Sequence, residues 1–253
     1  MLRIRQFEDI RIIYIIGYIR NMKILNLVLY NDNDEIYIQM YKALSEYYKG
    51  FSNVSTYFYK YNDNISDNIE ISGDIINIKG RESYMPGILN KTIDALLLFK
   101  NNDEYEKYDY IVRSNISSIV NFTLLLKELE LNPIEYYGST NVGNITLDNT
   151  NILFASGTNI ILSKKGYLTL INNINLLDKA YIDDISIAVF FHKLNIKITK
   201  LGKDGFVFVP MINNTAEYEK LVSSNYLVYR NKCENGRQYD VINMKNIIKH
   251  LTT

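Results

Sequence analysis

The residues best equipped for chemistry are two adjacent carboxylates, Asp183-Asp184, within Ile182-Asp183-Asp184-Ile185-Ser186-Ile187-Ala188. A carboxylate there can take a proton from a hydroxyl. An acidic pair also suits the start of a helix, as an N-cap or first-turn acid. Arg113 is the second candidate. It closes Tyr108-Asp109-Tyr110-Ile111-Val112-Arg113, a strong strand pattern that stops at Ser114-Asn115. A cation at a strand's carboxyl end is costly without a partner, so it faces a ligand or a buried acid. Glu82 and Lys91 can order a binding site or form a surface ion pair. Gly157 marks either a close approach of backbone to a ligand or a bend in a strand. One cysteine, Cys233, and two histidines, His192 and His250, exclude an internal disulfide and a Cys/His zinc site. His192, flanked by Phe190, Phe191 and Leu194, reads as a packing or surface histidine.

The elements that must position these residues follow from periodicity and turn chemistry. Lys23 to Tyr30 reads as a buried strand, and Asn31-Asp32-Asn33-Asp34 as a helix-cap cluster. A helix is predicted over 35–48, with Ile36, Met40 and Leu44 on one face. Strands are predicted at 54–59 and 74–79, separated by a polar loop at 62–68. Helices are predicted at 88–99 and 122–131, on either side of the strand at 108–113. Strand-like runs fall in 151–163 around Ser156-Gly157-Thr158, a helix in 164–174, and another from Asp183 to about Leu194. Short strands at 206–210 and 227–230 and a terminal helix at 243–251 complete the chain. Alternating strands and helices up to residue 113 predict a mostly parallel sheet with right-handed crossovers. Ligands on such sheets sit beyond the carboxyl ends of the strands, which points to the loop after Arg113.

The bulk numbers bound what this frame can do. The chain has 253 residues, 47% of them apolar, enough for one sizeable α/β domain over 22–253. Lys+Arg and Asp+Glu are 28 each, a balance that argues against life on nucleic-acid phosphates. Abundant Ile, Asn, Lys and Tyr reflect AT-rich codons, so neither Asn-rich stretches nor the 22 Tyr mark function by themselves. Residues 1–21 read as an N-terminal extension or as a start placed upstream of the domain. The apolar run at 10–19 carries Arg11, ends at Arg20, and is too short to span a bilayer.

Three segments, in order, resemble the β1,3-glycosyltransferases of the galactosyltransferase and fringe type. Glu82-Ser83-Tyr84 with Lys91-Thr92 is similar to that family's acidic-Ser-Tyr segment before a Leu-x-x-Lys-Thr helix. Tyr108 to Asn115 is placed like the strand that delivers the metal-binding carboxylates. Ala155-Ser156-Gly157-Thr158 with Ile161-Leu162-Ser163, then 182–188 and Lys193-Leu194-Asn195-Ile196, resembles the family's Ser-Gly-x-x-x-x-Leu-Ser and acidic-Asp segments with their Lys-Leu-Gly-Ile close. The likeness covers residues 74–197, about half the chain, and extends to uncharacterised glycosyltransferase-like proteins of large DNA viruses. It implies an α/β, Rossmann-like glycosyltransferase A fold. It also implies transfer of a hexose from a nucleotide-sugar, a UDP-sugar by family habit, to a glycan or protein hydroxyl acceptor with inversion. The catalytic base would be Asp184 or Asp183. Donor contacts would come from Arg113, Asn115, Ser117, Glu82, Lys91, Gly157, Arg230 and Arg237, the last two from a tail that closes over the phosphates.

One element departs from the pattern. The family carries an Asp-x-Asp at the end of the central strand, where carboxylates hold a divalent cation against the diphosphate. This chain has Arg113-Ser114-Asn115-Ile116-Ser117-Ser118 there. Two readings follow. Cations such as Arg113, Arg230, Lys232 and Arg237 can hold the diphosphate without a metal; or catalysis has been lost and the chain binds a nucleotide-sugar or glycan. No metal ligand and no cofactor beyond the donor is expected. The location expected is cytoplasmic, in the host cell if the protein is viral. Nothing in the sequence speaks to oligomeric state.

Overall fold

The structure is a computed structural model that describes residues 22–139, 144–147, 149–200, 205–212, 214–233 and 236–253; residues 1–21 lie outside them. In chain order the elements are β1 (Ile24–Leu29), α1 (Glu35–Lys49), β2 (Val54–Asn62), β3 (Ile69–Ser72), β4 (Ile75–Lys79), α2 (Gly87–Asn101), β5 (Tyr110–Asn115) and β6 (Ser118–Val120). There follow α3 (Phe122–Leu131), β7 (Tyr136–Gly138), β8 (Asn144–Leu147), β9 (Thr150–Leu153), β10 (Asn159–Ser163), α4 (Lys164–Ile171) and α5 (Asp183–Lys193). The last are β11 (Thr199–Lys200), β12 (Phe206–Val209), α6 (Thr215–Ser223), β13 (Val228–Asn231) and α7 (Arg237–Leu251).

The main sheet runs β11-β7-β10-β5-β1-β2-β4-β3. β1 pairs in parallel with β2 and β5, and β2 with β4, while β3 and β10 run against their neighbours. This is the α/β architecture expected, a mostly parallel sheet flanked by helices. A second sheet, β12-β13-β6, and the β8-β9 hairpin are appended to it.

Period-two alternation divides the core. On β1, Ile24 and Val28 join one apolar cluster, with Met40 and Leu44 of α1, Phe122 and Leu125 of α3, and Met244 and Ile247 of α7. Leu25 and Leu27 join the other, with Leu89 and Leu96 of α2, Tyr167 of α4, and Ile187 and Phe191 of α5. Both faces of the central strands are covered, so β1 is apolar almost throughout; its one polar side chain, Asn26, is buried and bonded to Thr56 and Ser114. The same alternation on β5 puts Ile111 in the second cluster and Val112 in the first. Arg113 therefore points into the α2–α5 layer, among apolar side chains, where a charge requires a partner.

Several boundaries differ from the sequence expectation for identifiable reasons. β5 continues through Ser114 and Asn115, because β1 and β10 hydrogen-bond it on both edges and override poor strand formers. Ser156-Gly157-Thr158 is not strand but the loop between β9 and β10. The helix expected over 164–174 ends at Ile171 and gives way to a 3-10 turn over Ile174–Leu176. α7 begins at Arg237, six residues earlier than expected. α6, β3, β6 and β7 were not anticipated. α6 is introduced by an Asn214 side chain that accepts from the Glu217 amide, and β3 falls just past the loop expected at 62–68. Among the described residues, no helix is long and apolar enough to cross a membrane.

Candidate functional site

Beyond the carboxyl ends of β1 and β5 lies a cleft of about 640 Å³. Its floor carries Asn115 and Ser117, and one wall carries Glu82, Ser83 and Tyr84 from the segment before α2 and Lys91 from α2 itself. The opposite wall is Arg230, Lys232, Cys233 and Arg237, delivered by β13 and the start of α7, with Tyr30 and Tyr37 along the side. Two chain segments more than 100 residues apart are thus brought face to face. They meet because β13 pairs with β6, the short strand directly after β5.

Asn115 organises the floor. Its Oδ1 accepts from the Ser117 amide at 3.1 Å, from the Ser117 and Ser118 hydroxyls at 3.2 Å each, and from the Arg230 guanidinium. Its Nδ2 donates to the Gly157 carbonyl at 3.2 Å. Arg230 also donates to Ser118 Oγ at 3.2 Å. No carboxylate lies within ion-pair distance of Arg230 among the described residues. Burial, together with the nearby Arg237 and Arg113 charges, pulls its pKa down to about 10. Arg237 is better served: it pairs with the fully buried Asp240 at 2.6 Å and lies over the Tyr37 ring at 5.4 Å. Lys91, 2% exposed, donates to both oxygens of Glu82 at 2.6 and 2.7 Å and to the Tyr30 carbonyl at 3.1 Å. Burial lowers its pKa against the opposing pull of Glu82.

Next to this floor, inside the layer between the sheet and α5, sits a closed polar knot. Asp183 and Asp184 are the first two residues of α5, where the helix dipole favours negative charge. Asp183 Oδ2 accepts from Arg113 at 2.5 Å and from Thr92 Oγ1 at 2.9 Å. Tyr59 hydrogen-bonds Thr92 at 2.9 Å. Arg113 also donates to the Gly157 carbonyl. Arg113 is 4% exposed and Asp183 2%. Burial opposes the Arg113 charge, but Asp183, Tyr59 and Asp184 overcome it and raise its pKa.

Asp184, 8% exposed, takes the Gly157 amide on Oδ2 at 2.9 Å and the Ile185 amide on Oδ1 at 2.8 Å. Burial and the Asp183 charge push its pKa up, against the restraining pull of Arg113 and the two amides. A Cβ on Gly157 would stand 2.8 Å from an Arg113 nitrogen and 3.2 Å from Asp184 Oδ2, so only glycine fits without displacing one of them.

The residues singled out in the sequence therefore fall into two adjoining groups. Glu82, Lys91, Asn115, Ser117, Arg230 and Arg237 line the cleft, with Lys232. Arg113, Gly157, Asp183 and Asp184 form the knot and do not line the cleft. Gly157 joins the two, its amide on Asp184 and its carbonyl receiving Arg113 and Asn115. Sequence reasoning missed Tyr30 and Tyr37 in the cleft and Tyr59 and Thr92 in the knot. Thr92 had a signal, the Lys91-Thr92 pair; the tyrosines had none among 22. His192 is exposed and lines a separate cavity of about 350 Å³ near Ile152 and Asn195.

A divalent cation at the end of β5 would meet a poor donor set. Asn115 and Ser117 offer neutral oxygens, and a guanidinium already sits on Asn115 Oδ1; such a set suits a hard dication poorly. Among the described residues, no group of three His, Cys, Asp or Glu is arranged to hold a metal.

No family model matches this chain, and no curated protein does. Among solved structures it is similar to a glycosyltransferase involved in glycosylation of the major capsid of PBCV-1. That likeness has 11% identity and a TM-score of 0.47 and covers 88% of this chain and 98% of that one. It is also similar to a mutant of Drosophila β1,4-galactosyltransferase 7 in complex with manganese, UDP-Gal and xylobiose, at 11% identity and a TM-score of 0.43, covering 87% of this chain and 79% of that one. At these values neither likeness carries a residue's role across.

Proposed function

We propose that this chain is a glycosyltransferase of the A-type fold that moves a hexose from a nucleotide-sugar, UDP-linked, to a hydroxyl acceptor with inversion. The observation that carries this reading is the junction between knot and cleft. A buried carboxylate with a raised pKa, Asp184, is tied through Gly157 to Asn115 on the floor of a cleft walled by cations. The cleft's position beyond the strand ends suits a nucleotide ligand.

In this mechanism the acceptor oxygen attacks the anomeric carbon, the carbon–oxygen bond to the diphosphate breaks, and the acceptor proton passes to Asp184, a step that requires the Gly157 loop to shift so that Asp184 opens onto the cleft it does not line here. Asp184 is preferred to Asp183, whose charge is already committed to Arg113 and Thr92. Arg113 and Asp183 then act as positioning residues: they fix the Gly157 loop and, through it, Asp184 and Asn115. Glu82 and Lys91 order the donor-side wall.

A second reading is favoured by one specific feature, the two backbone amides that occupy the Asp184 oxygens. On that reading the chain binds a nucleotide-sugar or glycan without turnover. Hydrolysis and transfer assays with UDP-hexoses, with and without manganese or chelator, beside Asp184→Asn, decide between them. Turnover that disappears in Asp184→Asn supports transfer. Donor binding without turnover, unaltered in Asp184→Asn, supports the binding protein. Turnover equal in the variant removes Asp184 from its role.

A further inference from the structure

Among the described residues the charges around the cleft do not balance. Four cations face it, Lys91, Arg230, Lys232 and Arg237, and two carboxylates answer them, Glu82 on Lys91 and Asp240 on Arg237. Arg230 and Lys232 have no carboxylate partner among the described residues. Arg230 is half-buried and rests on neutral oxygens of Asn115 and Ser118. A guanidinium withdrawn from water without an acid is tolerated when a ligand supplies the negative charge, and its planar fork suits phosphate oxygens. The two cations that have no carboxylate partner among the described residues match the charge of a diphosphate diester.

We infer that the cleft binds the diphosphate of its ligand without a metal ion, with Arg230 as the central contact and Lys232 as the second. The Asn115–Ser118 turn aims the Arg230 guanidinium from the floor. Lys232, more exposed, closes from the rim. The inference deepens the donor-site reading proposed above and rests on it for the identity of the cleft, but its chemistry can be tested alone.

The test is calorimetric titration of the full chain with inorganic pyrophosphate and with UDP, in EDTA and again with magnesium or manganese, for the native protein, Arg230→Gln and Lys232→Gln. The expected result is binding in EDTA that added metal does not strengthen. The dissociation constant should rise by about 10-fold or more in Arg230→Gln, the loss expected for a charge-assisted contact, and by less in Lys232→Gln. Lys232 is exposed, so its variant remains informative if Arg230→Gln fails to fold. No binding of either probe, binding that needs the metal, or constants unchanged in both variants would overturn the inference. Metal-free, Arg230-dependent binding of pyrophosphate without any use of a nucleotide-sugar would uphold it while ending the glycosyl-transfer reading.

Discussion

Arg113 and Arg230 are two guanidiniums beside the end of the same strand, and the fold treats them in opposite ways. Arg113 enters a closed circuit: Asp183 neutralises it, the Gly157 carbonyl accepts from it, and the surrounding charges raise its pKa despite full burial. Arg230 receives only neutral oxygens, and its pKa is pulled down to about 10. A charge whose partner is built in contributes to holding the chain together. A charge withdrawn from water and left uncompensated costs stability, and such costs are tolerated where function needs them. The contrast separates scaffold from binding surface within a single region of the molecule.

Four measurements can break or sharpen that contrast. The largest effect should come from Asp183→Asn, which strands Arg113 among apolar side chains. A cost of about 3–5 kcal/mol is expected, a melting temperature lower by roughly 6–20 °C. A change near zero would mean that the knot is not a closed circuit. Gly157→Ala should cost about 1–3 kcal/mol by pressing on Arg113, and should weaken ligand binding as well, because the same residue holds Asn115. Arg230→Gln should leave thermal stability unchanged or raise it. A loss as large as that of Asp183→Asn would place Arg230 in the scaffold and end the comparison. Smallest, the exposed pair Arg81–Asp63 should be silent: Arg81→Ala should shift the melting temperature by no more than the scatter between replicates.

Acidity offers a further check on Asp184. Its raised pKa means that the proton-accepting form is lost as pH falls through a value above the ordinary 3.8. The transfer rate should therefore fall on the acid side at a pH higher than an ordinary aspartate would give; a rate that stays flat down to the ordinary aspartate range would remove Asp184 as the proton acceptor.

Much of the scaffold was legible in the sequence because it is local. The β1 run, the Asp34 cap and the faces of α1 and α2 are set by residues within a few positions of one another. The Asp183-Asp184 pair announced its helix for the same reason. The strand-end rule also placed the cleft beside the loop after Arg113. What escaped notice depends on distant partners. β6 is three residues long and becomes a strand only because Val228 to Arg230 lie against it. Ser114 and Asn115 extend β5 only because β1 and β10 hold them. Arg113 and Arg230 look alike in the sequence; nothing local distinguishes the one that meets an acid from the one that does not. Tyr37 reaches the cleft because α1 packs on α7, a pairing no periodicity reveals.

The β6–β13 pairing also bears on how the protein is made. On the ribosome, β6 emerges more than 100 residues before the strand that completes its sheet, so Ser118 to Val120 wait with an open edge. The main sheet and the helices α1 to α5 can pair during that interval, with one face still waiting for α7. Arg230, Lys232 and Arg237 come after that interval. A nascent chain therefore passes through a stage in which β1 to β5 can pair while β13 and α7, which bring both the cationic wall and the Met244 and Ile247 part of the first core cluster, are not yet made, and a ligand held by that wall can bind only after them.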